Sequence, residues 1–114
     1  MSNKAPSKTD VLQGTLDLMV LQTLDTLGPQ HGYTIAARLE QISGGALQLN
    51  MGTLYPALMR LEQRGLVRGT WGTTDTNRKA RYYAVTAAGR RQLAKKIEAW
   101  DQMVGIIHTL LHKA

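Results

Sequence analysis

Arg78 and Lys79, beside Asn77 at the tip of a loop longer than a tight turn, and Arg81, just inside the strand that returns from it, are the residues of this chain best suited to a chemical role, that of holding phosphate. Cations on a projecting loop neutralise a nucleic-acid backbone or enter a minor groove, where the negative potential is deepest. Taken alone, the same loop reads equally well as a solvated basic surface. Its setting adds weight to the first reading. Ten basic residues between Arg60 and Lys96 stand against only Glu62 and Asp75, while the N-terminal half is nearly neutral. The formal charge of +6 is therefore concentrated in one stretch, the footprint expected of a polyanion binder.

Catalytic chemistry finds no comparable constellation. There is no cysteine, which excludes a disulfide framework and thiolate metal ligation and fits a reducing cytosol. Three histidines and eight carboxylates show neither a Ser/His/Asp order nor paired acids on one face, and no glycine loop is shaped to cradle a phosphate. His108 and His112 are spaced i, i+4 as metal ligands can be, yet without a third ligand they read as favouring the helix dipole. His31 reads as a turn or capping residue. No enzyme activity, cofactor or metal is expected. The first residues, Met1 to Lys8, have no apolar core or cleavage signature, and no stretch approaches the roughly 18 apolar residues of a membrane span.

The basic loop needs elements to carry it. Leu66–Trp71 and Ala80–Val85 are short β-branched and aromatic runs on either side of a Gly/Thr/Asp/Asn segment, which predicts a hairpin with the cations at its tip. The hairpin follows a predicted helix that begins at a capping Asn50, carries an apolar stripe of Leu54, Leu58 and Leu61, and stops at Gly65. Thr53, Ala57, Arg60 and Arg64 are expected on the opposite face, a mix of small and basic side chains suited to a DNA groove. Pro56, six positions in, predicts an irregular first turn.

Two more helices are expected upstream. Asp10 to Leu27 has dense apolar spacing through Val11, Leu12, Leu16, Leu18, Met19 and Leu21, with Thr9 or Asp10 as cap. Tyr33 to Ile42 follows, with Ile35, Leu39 and Ile42 inward and Gly44-Gly45 at its end. Gly28 to Gly32 separates the two, and Ala46–Leu49 reads as a short strand edge. Three helices followed by a hairpin is the winged-helix order.

Beyond a capping Thr86, a last helix is expected from Ala87 to His112. Leu93, Ile97, Trp100, Val104, Ile107 and Leu111 are spaced 4, 3, 4, 3 and 4 apart, a coiled-coil seam on a helix about 39 Å long. A domain of this size cannot cover that whole seam, so a second copy is the simplest partner, presenting two recognition helices to a two-fold site. The fold class is mainly α with a small β-hairpin, comprising a disordered tail over 1–9, a winged helix-turn-helix over 10–86 and a dimerisation helix over 87–114.

These residues carry a family likeness. Leu12-Gln-Gly-Thr-Leu-Asp-Leu18, Gly28-Pro-Gln-His-Gly-Tyr33, Gly52-Thr-Leu-Tyr-Pro-Ala-Leu58, Arg60-Leu-Glu62, Gly65-Leu66, Arg81-Tyr-Tyr83 and Thr86-Ala-Ala-Gly-Arg90 together resemble the PadR family of bacterial winged-helix transcription regulators. The Tyr-Pro pair belongs to that pattern. The resemblance implies a cytoplasmic homodimeric repressor that binds a pseudo-palindromic promoter on double-stranded DNA and answers to a small effector. It assigns DNA contacts to Gln13 and Thr15 on the first helix and Tyr33 on the second. It also assigns them to Thr53, Tyr55, Ala57 and Arg60 on the recognition helix, and to Arg78, Lys79 and Arg81 on the wing. The single C-terminal helix is similar to the compact, multidrug-sensing subgroup, in which Trp100, with Ile97 and Val104, would stack a flat aromatic ligand at the dimer centre. Packing of Trp100 against its symmetry mate accounts for the same position equally well. Glu98 and Asp101 lie off the seam, which favours neutral planar ligands over cationic ones. A winged-helix module that binds protein instead of DNA remains the alternative from a different class.

Overall fold

The computed structural model describes residues 13–113, so the expected tail and the cap at Thr9 or Asp10 lie outside the described residues. Four helices, α1 (Gln13–Leu27), α2 (Gly32–Ile42), α3 (Met51–Gln63) and α4 (Ala87–Lys113), surround a three-stranded antiparallel sheet of β1 (Gln30–His31), β2 (Val67–Thr73) and β3 (Lys79–Val85) in the order β1-β3-β2. This is the winged helix-turn-helix with a long terminal helix, extending 55 × 34 × 22 Å.

Local chemistry fixes the boundaries of α3. Asn50, extended at φ −86 and ψ 166, accepts the Thr53 N–H on its side-chain oxygen at 2.9 Å, and Gly65 ends the helix at φ 75, a left-handed conformation costly for other residues. Pro56 does not disrupt the first turn. Its ring lies on the exposed face of the helix, as does Gly52, whose carbonyl loses its helical partner to the proline. Leu54, Leu58 and Leu61 are completely buried, and they meet Leu16, Val20, Leu21 and Leu24 of α1 and Ile35 and Leu39 of α2 in one core closed by Val67 and Tyr83.

One hydroxyl joins three elements. Thr86 Oγ donates to the Gly65 carbonyl at 2.7 Å and accepts the Gly89 N–H at 3.0 Å, tying the end of α3, the exit of β3 and the start of α4 together. Gly89 sits directly on the Leu66 backbone, where a β-carbon has no room.

Four further expectations change. The sheet has a third strand, Gln30–His31, paired with Tyr83 and Tyr82; two polar residues carry no periodicity by which to foresee it. Ala46–Leu49 is not a strand, because the chain there is folded onto α2: Ser43 Oγ accepts the Leu47 N–H at 2.9 Å and the Ser43 carbonyl accepts the Ala46 N–H. Ile42, at the end of α2, is exposed instead of inward. Leu93, expected on the dimer seam, is 4% exposed and belongs to the core of its own chain, since the first two turns of α4 pack across the sheet and α1.

Candidate nucleic-acid interface

α3 turns a different face outward from the one expected. Gly52, Tyr55, Pro56, Met59 and Gln63 are exposed and form the stripe half a turn from Leu54, Leu58 and Leu61. Ala57 is completely buried, so it contacts no DNA: its small side chain lets α3 approach the core closely. Thr53 and Arg60 lie on one flank, half-buried, and Arg64 is exposed at the helix end.

Two of the expected DNA-contacting cations are engaged within the chain. The Arg60 guanidinium reaches Asp17 Oδ1 at 3.2 Å, and Asp17 is buried in α1 with 7% of its side chain exposed. A carboxylate so placed requires a partner, which holds Arg60 against α1 and away from the outward stripe. Arg81 pairs with Glu62, which also accepts the Gly69 N–H at 3.3 Å. Its guanidinium fills the space over Gly69 and lies 5.8 Å from the Trp71 ring centroid. The hydrogen bond to Glu62 raises the Arg81 pKa further above its ordinary value, so this cation braces the wing against α3. Beneath it, burial pushes the Tyr83 phenol up, partly offset by Arg81.

Arg78 and Lys79 remain exposed at the wing tip. The tip is shaped, not loose. Thr74 and Arg78 bond backbone to backbone at 2.8 Å, the Thr74 hydroxyl accepts the Arg78 N–H at 3.1 Å, and Asn77 takes φ 61. Across a groove of about 440 Å³ from these cations stand His31 and Tyr33 at the start of α2. Tyr33 is 68% exposed, and His31 packs edge-on against it and against Tyr82. No side chain caps α2, whose amino end therefore keeps free N–H groups beside the cations. Tyr33, Arg78 and Lys79 thus line one groove, with Asp75 on its rim, while Tyr55 of α3 lies against Gly32 at the start of α2.

The two expected α1 residues fall elsewhere. The side chain of Gln13 lies outside the described residues, and Thr15 lines a groove of about 330 Å³ between α1 and α4 with Gly14, Leu18, Lys96, Trp100 and Met103. Thr15 is therefore grouped with Trp100, not with Tyr33 and the wing. Ile97 lines a separate apolar groove with Leu18, Met19, Leu39, Ile42 and Leu47, and Val104 stands exposed further along α4. Within one chain the expected ligand residues, Trp100, Ile97 and Val104, do not close around a common cavity. His108 and His112 approach with ring centroids 4.4 Å apart, and no group of three metal-ligating side chains occurs among the described residues.

Met59, Gln63 and the exposed Trp71 of β2 are additions to the expected site. Periodicity could have found the first two: half a turn from Leu54, Leu58 and Leu61 lie 52, 56, 59 and 63, whereas 57 and 60 flank the buried stripe.

Comparison with known proteins identifies the family and matches the fold. The profile of the transcriptional regulator PadR-like family matches residues 20–95. A solved transcriptional regulator from Clostridium thermocellum superposes with a TM-score of 0.79 at 28% identity, covering 92% of this chain and 97% of that one. A PadR family transcriptional regulator from Eggerthella lenta gives 0.76 at 28% identity, over 90% and 86%. An uncharacterised 37.1 kDa protein in transposon TN4556 of Streptomyces fradiae is 38% identical over 78 residues, 68% of this chain, and the chain spans only about a fifth (21%) of that relative's length.

Proposed function

The chain belongs to the PadR-like family of transcriptional regulators, and from that premise we propose that it works as a ligand-responsive repressor, binding a pseudo-palindromic promoter as a homodimer. The observation that carries the DNA reading is the groove in which Tyr33, at the start of α2, faces the exposed wing cations Arg78 and Lys79, with Tyr55 of the outward α3 stripe lying against Gly32 next to Tyr33. α3 enters the major groove, the wing and the uncapped start of α2 hold phosphates on either side, and Arg60 and Arg81 keep α3 and the wing in register. A gel shift with the gene's own upstream region tests this. Retention of that duplex supports the reading, and indifference to it at low salt overturns it.

Dimerisation rests on α4. From Ile97 to Leu111, eight large apolar side chains, Ile97, Trp100, Met103, Val104, Ile106, Ile107, Leu110 and Leu111, are between 39% and 72% exposed. Burying such a surface is favourable by about 25 cal/mol per Å², and a second α4 offers the matching stripe. The same pairing brings a second Trp100 towards the first, and planar aromatic, uncharged effectors stack between the two. Trp100→Ala, with Trp71 as the remaining fluorophore, is the control for a titration with planar aromatic compounds followed by tryptophan emission. Quenching in the parent that the variant lacks supports the effector site; identical curves leave Trp100 as a packing residue.

A further inference from the structure

The outward stripe of α3 carries no charge. Gly52, Pro56 and Met59 are apolar, Tyr55 and Gln63 are neutral, and the charged neighbours Arg60 and Glu62 sit on opposite flanks, held by Asp17 and Arg81. A helix that reads guanine does so with an arginine or lysine donating to O6 and N7. The middle of this stripe has no donor to give: Pro56 lacks an N–H and Met59 ends in a weakly accepting thioether. Any base pair pressed against Pro56 and Met59 loses water from its polar edge without a protein donor in return, and a G·C pair has no apolar group there to offset that loss. An A·T pair offers the one apolar feature of the major groove, the C5-methyl of thymine. Met59, 56% exposed and flexible, can adapt its shape to such a methyl. The cations that flank the stripe, Arg64 at its end and Arg78 and Lys79 on the wing, complement a polyanion rather than an apolar protein partner.

Resting on the DNA-binding reading, we infer that α3 selects its half-site through thymine methyl groups packed on Pro56 and Met59. Affinity for the preferred site then depends on a single carbon that carries no hydrogen bond.

The test replaces thymidine with deoxyuridine, which removes only that methyl. The full-length protein selects duplexes from a random-sequence pool, and the winning duplex is resynthesised with deoxyuridine at one thymine position at a time. Binding weakens about fourfold for each methyl that is buried, by the transfer free energy of one CH₂. Met59→Ala, at an exposed position, keeps the helical content of the parent and binds the thymidine and deoxyuridine duplexes equally at the position that Met59 covers. Equal affinity of the parent protein for every deoxyuridine duplex overturns the inference while leaving DNA binding intact, as does an unchanged methyl effect in Met59→Ala. Failure to retain any duplex overturns the DNA reading itself, and this inference with it.

Discussion

Two lengths of α4 carry apolar side chains at the same spacing and meet opposite surroundings. Up to Leu93 the helix is fastened: Thr86 caps it, Gly89 rests on the Leu66 backbone, and Leu93 is buried. From Ile97 onward cover falls away among the described residues: Ile97, Trp100, Val104, Ile107 and Leu111 continue the pattern that Leu93 began and are between 39% and 72% exposed. Periodicity reports which face is apolar. It does not report which molecule covers that face, and the change from buried to exposed falls between Leu93 and Ile97, about one turn of helix.

Breaking each side of this contrast has a distinct signature. Leu58→Ala, in the fully buried centre, is expected to cost about 2–5 kcal/mol, measured as a shift of the urea midpoint that is the same at every protein concentration. Ile107→Asp should leave the folded protomer intact and dissociate the dimer, so its unfolding ceases to depend on concentration while that of the parent rises with it. A concentration-independent parent would remove the need for a partner at α4.

Arg60→Ala tests the link between α1 and α3. It leaves the buried Asp17 carboxylate without its cation and should destabilise by about 1–3 kcal/mol, whereas Asp17→Asn with Arg60→Ala recovers part of that loss. An unchanged midpoint in Arg60→Ala would return this arginine to the set of free DNA contacts.

Arg78→Ala and Lys79→Ala should each weaken DNA binding and lower the slope of log affinity against log salt by about one, with no effect on the urea midpoint. Arg81→Ala behaves differently, lowering stability through the lost Glu62 pair. The smallest effect is alkaline. Tyr83 has a raised phenol pKa in the folded protein because it is buried, so folding holds its proton more tightly than the unfolded chain does. That contribution is complete below about pH 10 and is lost as pH rises through the folded value; Tyr83→Phe should flatten the decline. An identical alkaline decline in both proteins would mean that Tyr83 ionises without cost.

Much of the fold is legible in the sequence because local chemistry and global packing agree. Asn50, Gly65 and Thr86 cap or stop the elements that their residue types assign them, and the Leu54–Leu58–Leu61 stripe is fully buried. What escapes a sequence reading is decided by tertiary neighbours. Gln30–His31 is a strand only because β3 is there to pair with it, and Ile42, the last residue of α2, continues the inward stripe past the edge of the core, where it borders an open groove beside Leu47 and Ile97. At the candidate site, composition and direction part ways. Arg60 and Arg81 are basic residues in a basic stretch, and only the positions of Asp17 and Glu62 reveal that their charge is already engaged. Met59 and Gln63 escape any search that requires a DNA-facing helix to be basic.

In the proposed assembly two copies, joined through α4, grip one duplex with two wings. Sedimentation equilibrium of the protein mixed with its upstream promoter duplex, run beside Ile107→Asp, tests this directly. Two protomers per duplex for the parent, and weakened binding by single protomers for the variant, are the predicted result. One protomer per duplex with the same affinity in both proteins would contradict it.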